Sequence, residues 1–198
     1  MMQPLRALGV YMKLLFISLG CDKNLVDSEE MLGLLTKSGN EIVDSEEEAE
    51  GIIINTCCFI HDAKEESVET ILQMAEYKKA GSCKALIVTG CMAQRYKEEI
   101  IQEIPEVDAV LGTTSYEEIV KALEEACEGR HFQEYKDIDY LPLTDGGRIL
   151  TTGGHFGYLK IAEGCDKHCT YCIIPKLRGR VRSVPMERLI SQAEERAG

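Results

Sequence analysis

Cys165, Cys169 and Cys172 stand in the run Gly164-Cys165-Asp166-Lys167-His168-Cys169-Thr170-Tyr171-Cys172. Three thiolates at C-x-x-x-C-x-x-C spacing on one short loop suit three irons of a four-iron cluster. The fourth iron would then lack a protein ligand. An open iron can bind a substrate or cofactor directly, whereas a cluster capped by four cysteines chiefly carries electrons. The rival reading is a structural zinc ion held by the three thiolates and His168. Against it, His168 abuts Cys169, and one loop hardly wraps a tetrahedron. A disulfide framework does not fit 198 residues with nine cysteines, an odd number.

The elements that must position these residues begin with an alternation of strand and helix. Lys13–Ser18 reads as a short apolar strand and Asn24–Ser38 as a helix with Leu25, Leu32 and Leu35 inward. Glu41–Val43 is a brief strand, and the acidic run Asp44–Glu50 a solvated turn. Gly51–Asn55 holds Ile52-Ile53-Ile54, the continuous apolar run of a strand covered on both faces. Helices follow at Asp62–Lys79, with Val68, Ile71, Leu72 and Ala75 on one stripe, at Ala93–Glu103 and at Tyr116–Glu128. Strands are expected at Ala85–Thr89 and Val107–Leu111. The pattern predicts an α/β fold: a doubly wound parallel sheet, flavodoxin-like, of about five strands in the order 2-1-3-4-5. Residues 129–156 show no amphipathic period and carry Gly146-Gly147 and Gly153-Gly154, so a linker is expected there. Tyr158–Ala162 starts a new strand feeding the cysteine loop, and Glu187–Arg196 begins a helix. The expected organisation is therefore an N-terminal extension at 1–11, with Met12 a possible start, a domain at 12–128, the linker, and the start of a second, truncated domain at 157–198.

Three further cysteines follow strands: Cys21 after the first, Cys57 after the third and Cys91 after the fourth. In the 2-1-3-4-5 order these strands are neighbours, and their carboxyl ends form the crevice where doubly wound sheets bind ligands. The sequence thus points to a second triplet of thiols converging in space. Packing is the bland alternative for each of them. Cys127 shares a stripe with Ile119, Leu123 and Ala126 and reads as core, Cys83 precedes a strand, and Cys58 is the one substitute ligand.

The net charge of −12 argues against nucleic-acid binding through this stretch, because phosphates would be repelled, and suits a basic protein partner. With 44% hydrophobic and 28% charged residues the composition is that of a globular protein. The apolar run Leu14-Leu15-Phe16-Ile17 is too short to cross a membrane. Nine cysteines and no targeting signal imply a reducing, cytoplasmic setting.

Four strings together carry a resemblance: Ser18-Leu19-Gly20-Cys21-Asp22-Lys23-Asn24, Asn55-Thr56-Cys57, Thr89-Gly90-Cys91, and Glu163-Gly164-Cys165 through Arg178-Gly179. From about Met12 onward the chain resembles methylthiotransferases of the radical S-adenosylmethionine (SAM) superfamily. The resemblance implies two 4Fe-4S clusters and SAM as cofactors. Cys21, Cys57 and Cys91 would hold an auxiliary cluster serving sulfur delivery. Cys165, Cys169 and Cys172 would hold the cluster that binds SAM through its open iron, with Tyr171 near the adenine or simply packed on the loop. In this family one SAM donates a methyl group to sulfur, and a second is cleaved by one electron so that an unactivated carbon can be attacked. One branch thiomethylates a tRNA adenosine. The other modifies the β-carbon of an aspartate in the small-subunit ribosomal protein S-twelve. Gly20-Cys21-Asp22-Lys23-Asn24-Leu25-Val26-Asp27-Ser28-Glu29 and Phe59-Ile60 with Ala63-Lys64-Glu65-Glu66-Ser67 are similar to the second branch. The acidic charge leans the same way. A one-electron reductant and a sulfur donor, neither identified, are further implied partners, and a non-catalytic iron–sulfur module is the remaining alternative. Gly153-Gly154, where relatives often carry proline, and Val184 in place of an arginine depart from the pattern. Arg178 and Arg180 could meet the SAM carboxylate or the substrate, but exposed loop arginines are common and both stay outside the expected ligand set. The family's later strands and its substrate-recognition domain do not occur in these residues, so the fragment alone is expected to be inactive.

Overall fold

The computed structural model describes residues 11–81, 83–144 and 147–197. Of the expected N-terminal extension only Tyr11 falls among them, and Gly146 lies outside them. Six strands form one parallel sheet: β1 Lys13–Ser18, β2 Glu41–Val43, β3 Gly51–Thr56, β4 Ala85–Gly90, β5 Ala109–Leu111 and β6 Phe132–Glu134. Their order is β2-β1-β3-β4-β5-β6. The flavodoxin-like order 2-1-3-4-5 is present with β6 added at its edge. That strand lies inside the stretch expected as linker. Its apolar signal is weak, and backbone pairing recruits it: Phe132 N donates to Asp108 O at 3.0 Å and Gly112 N to Glu134 O at 3.0 Å.

Successive strand residues face opposite sides, so the two faces take different helices. Ile52, Ile54, Leu86, Val88 and Val110 pack against α2 (His61–Lys79) and α3 (Cys91–Glu103). Leu14, Ile53, Ile87 and Leu111 pack against α1 (Asp22–Lys37) and α4 (Ile119–Cys127). A 3-10 turn, Tyr116–Glu118, precedes α4. On α2 the buried stripe is Ser67, Ile71, Met74 and Ala75. Leu72, expected on that stripe, points outward and is half exposed, because Met74 fills the position against the sheet.

Helix α1 departs most from its expected form. Asn24, Asp27, Ser28, Glu29 and Glu30 are buried along with Met31, Leu32 and Leu35. The chain after β6 covers them. Arg148 donates to Glu29 through Nε at 2.5 Å, Thr151 N donates to the same carboxylate at 2.8 Å, and Ile149 N donates to Glu29 O at 3.1 Å. Residues 147–151 are thus laid along α1, and Gly33 leaves room for the Gly147 backbone. The remaining elements are β7 (Ala162–Glu163), α5 (Ile174–Arg178), β8 (Arg182–Ser183) and α6 (Met186–Ala197). The strand expected at Tyr158–Ala162 reduces to β7, antiparallel to β8. The preceding residues spend their polar groups on α1 and its cover instead: Lys160 pairs with Asp27, and Tyr158 O accepts from Arg148.

Candidate functional site

The chain reverses its direction of travel across the sheet between β1 and β3, which creates a crevice at the carboxyl ends of those strands. Cys21 caps α1 just past β1, Cys57 directly follows β3, and Cys91 opens α3 directly after β4. Cys21 is exposed, whereas Cys57 and Cys91 are buried. Two of the three, Cys21 and Cys91, sit at helix N-termini. Gly20 has φ +94°, and a Cβ there would stand 2.6 Å from Cys57 Cβ and 2.9 Å from its sulfur. Gly90 has φ +91°, and a Cβ there would stand 2.5 Å from Thr56 O. Both positions admit only glycine, which lets the turns carrying the cysteines close on one another.

Asn24 ties the turns together. Its Nδ2 donates to Leu19 O at 3.0 Å and to Thr56 O at 2.8 Å, and its Oδ1 lies 3.8 Å from Cys91 Sγ. Asn55 Nδ2 donates to Asn24 O and to Ser28 Oγ, both at 2.9 Å. The Arg178 guanidinium also donates to Asn24 Oδ1. Burial pushes the Cys91 thiol up; the charge and hydrogen bond of Arg178 pull it down, and neighbouring Cys57 raises it again. Cys58 is pushed up to about 11, first by burial and then by Cys91. Its protonated sulfur donates to Cys91 O at 3.2 Å, so it turns away from the three candidate ligands. Cys83 and Cys127 are also apart from this site, Cys83 in the core of the α2–α3 face and Cys127 packed against that of the α1–α4 face.

The second cysteine loop is more open. Cys165 and Cys172 are half-buried and Cys169 is exposed. Lys167 N donates to Cys165 Sγ at 3.4 Å, Cys165 N to Gly179 O at 3.0 Å, and Cys172 N to Cys169 O at 3.0 Å. Asp166 and Asp139 fix the returning strand by accepting from Val181 N at 3.0 Å and Arg180 N at 2.7 Å. One cleft of 460 Å³ is lined by Asp139, Cys165, His168 and Arg180, and another of 350 Å³ by Cys169, Tyr171, Cys172 and Lys176. Tyr171 is 90% exposed, so its ring is not packed on the loop.

Arg180 is exposed as expected, but Arg178 is only 3% exposed. Its guanidinium meets Asp27 at 2.6 Å and Glu163 at 3.0 Å. Burial favours protonated Glu163, but Arg178, Lys160 and Lys23 outweigh that and hold its carboxyl down at about 2. Sequence reasoning missed Arg178, Asp27 and Asn24 as parts of the site. The available signal was Asn24 and Asp27 inside the same string as Cys21.

The family model described as "Uncharacterized protein family UPF0004" matches residues 13–112. The chain belongs to that family. Its relatives include proteins named "Ribosomal protein uS12 methylthiotransferase RimO". The chain is 64% identical over 183 residues to the one from Lachnoclostridium phytofermentans, covering 92% of this chain and 42% of that protein. For the Acetivibrio thermocellus protein the figures are 53% over 189 residues, 92% and 42%. For the Clostridioides difficile protein they are 50% over 186 residues, 94% and 42%. The chain therefore spans about two fifths of the length of the curated relatives it matches.

The UPF0004 match ends at Gly112, so it takes in Cys21, Cys57 and Cys91 and leaves the second loop outside. The donor sets of both places suit iron–sulfur ligation. They are soft sulfur donors, with backbone N–H groups and a buried guanidinium nearby to offset thiolate charge. Among the described residues, neither triplet gathers all its sulfurs within 4.8 Å of one another. His61, Asp62 and Glu65 do gather that closely, on exposed surface. No helix among the described residues is long and apolar enough to cross a membrane.

Proposed function

We propose that this chain carries the two cysteine sites of a radical SAM methylthiotransferase that thiomethylates the β-carbon of an aspartate in ribosomal protein S-twelve, in the cytoplasm. The observation that supports this most is the meeting of Cys21, Cys57 and Cys91 at the switch point of the sheet, beside a loop bearing three more cysteines. Bound there, two 4Fe-4S clusters would supply the one-electron chemistry that SAM cleavage needs and a place for sulfur to be delivered. Cys21, Cys57 and Cys91 would ligate the first and Cys165, Cys169 and Cys172 the second. Asn24 holds the first set of turns in place. Tyr171, within the second loop, is exposed and available to stack on the adenine of SAM. The choice of substrate rests on the relatives' names and on the −12 charge, which suits a basic protein better than RNA.

The test uses the full-length protein. After anaerobic reconstitution, iron and acid-labile sulfide are measured with and without Cys21→Ala, Cys57→Ala and Cys91→Ala together. About eight irons per chain should fall to about four. Incubation with SAM, a reductant, sulfide and ribosomal protein S-twelve should then add one methylthio group to an aspartate, read by peptide mass spectrometry. Four irons in both proteins would remove the auxiliary site from the reading, and modification of tRNA in its place would move the chain to the other branch.

A further inference from the structure

Arg178 ends α5, the short helix that leaves the second cysteine loop, yet its guanidinium lies in the first cysteine site. It is held on one side by Asp27 and Glu163, at 2.6 and 3.0 Å. On the other side it donates to Asn24 Oδ1, which lies 3.8 Å from the Cys91 sulfur. The fork cannot swing away without leaving two buried carboxylates short of a partner. Lysine could not serve the same contacts, because only the planar guanidinium offers several donors in fixed directions. The ion pairs with Asp27 and Glu163 account for its burial but not for its further contact with Asn24 Oδ1. The end of α5 is already fastened by Thr113 Oγ1, which donates to Leu177 O at 2.7 Å.

We propose that Arg178 is a positioning residue that the second cysteine loop contributes to the first cysteine site: a fixed positive charge, bonded to Asn24 Oδ1, beside the Cys91 sulfur. It offsets the negative charge of a thiolate-ligated cluster and completes the first site only when the second loop is docked. This deepens the reading of Cys21, Cys57 and Cys91 as cluster ligands and rests on it. Hydrogen bonds to sulfur and local charge set the potential of such clusters. A cation beside the sulfur favours the reduced, more negative state, so its loss moves the midpoint to lower potential.

The test uses the full-length protein carrying Cys165→Ala, Cys169→Ala and Cys172→Ala, in which only the first site can hold iron. Arg178→Met is expected to retain four irons and to shift the midpoint negative by a factor of about ten in the reduction equilibrium, about 59 mV for one electron. Arg178→Lys, which keeps the charge, should recover part of the shift. The double variant Asp27→Asn with Arg178→Gln guards against misfolding, since it leaves neither of that pair as a lone buried charge. It should also move the midpoint negative, because the guanidinium reaches Asn24 Oδ1, 3.8 Å from the Cys91 sulfur, while its other nitrogen holds Asp27. A loaded, folded variant with an unchanged midpoint and unchanged electron paramagnetic resonance spectrum overturns the role of Arg178 and leaves the two-cluster reading standing. Failure of the background protein to bind iron with Arg178 intact overturns the cluster reading itself.

Discussion

Replacing Gly33 with alanine sets helix propensity against packing, and the structure decides the sign. Gly33 is buried in the interior of α1. On propensity alone Gly33→Ala should stabilise by about 0.8–1 kcal/mol. A methyl group there, however, would run into the Gly147 carbonyl oxygen and stand 2.9 Å from its carbonyl carbon. Nonbonded carbons rest at about 3.5–4 Å, so the Gly147 backbone must retreat by at least about 0.6 Å. That backbone leads into Arg148, Ile149 and Thr151, all of which bond to Glu29. Overpacking of this kind costs about 1–3 kcal/mol, and parting Arg148 from buried Glu29 would add to it. The expected net effect is a destabilisation of about 1–2 kcal/mol. Urea unfolding followed by circular dichroism should show a lower midpoint, and trypsin should cut faster after Arg148. A more stable variant with unchanged cleavage would refute the close approach of residues 147–151 to α1.

The remaining predictions concern the network and the turns around the first site. Tyr116 donates to Glu30 at 2.7 Å, and Thr144 donates to the same oxygen at 3.2 Å. Tyr116→Phe should therefore cost about 1.5 kcal/mol, the low end for a hydrogen bond to a charged group, read as a drop in the urea midpoint. Gly90→Ala forces a methyl group onto Thr56 O at φ +91°. It should destabilise the chain by about 2 kcal/mol or more and lower the iron bound after reconstitution. Cys58→Ala should leave the iron count unchanged, because the Cys58 thiol faces the Cys91 carbonyl. A loss of iron in that variant would make Cys58 a ligand.

The meeting of Cys21, Cys57 and Cys91 is legible in the sequence for a reason independent of packing detail. In a parallel sheet every strand ends at the same edge, so residues that follow neighbouring strands share that edge whatever their side chains do. The run Ile52-Ile53-Ile54 is legible likewise, since it has only one way to be buried on both faces. The string Asp27-Ser28-Glu29-Glu30 has no apolar residue to mark a buried face, yet all four residues are buried. Their burial depends on partners that no local period encodes: Arg148 and Thr151 lie 119 and 122 residues from Glu29. Arg178 is the same case from the other end, a loop arginine whose burial is tolerable because Asp27 and Glu163 receive it. An apolar side chain is buried by whatever covers it, and so its spacing reveals the face. A buried charge needs one particular partner, so it says little about its own helix and much about which distant segment must come to rest there. Asp27 and Arg178 therefore tie the second cysteine loop to the first site, a connection the cysteines themselves do not reveal.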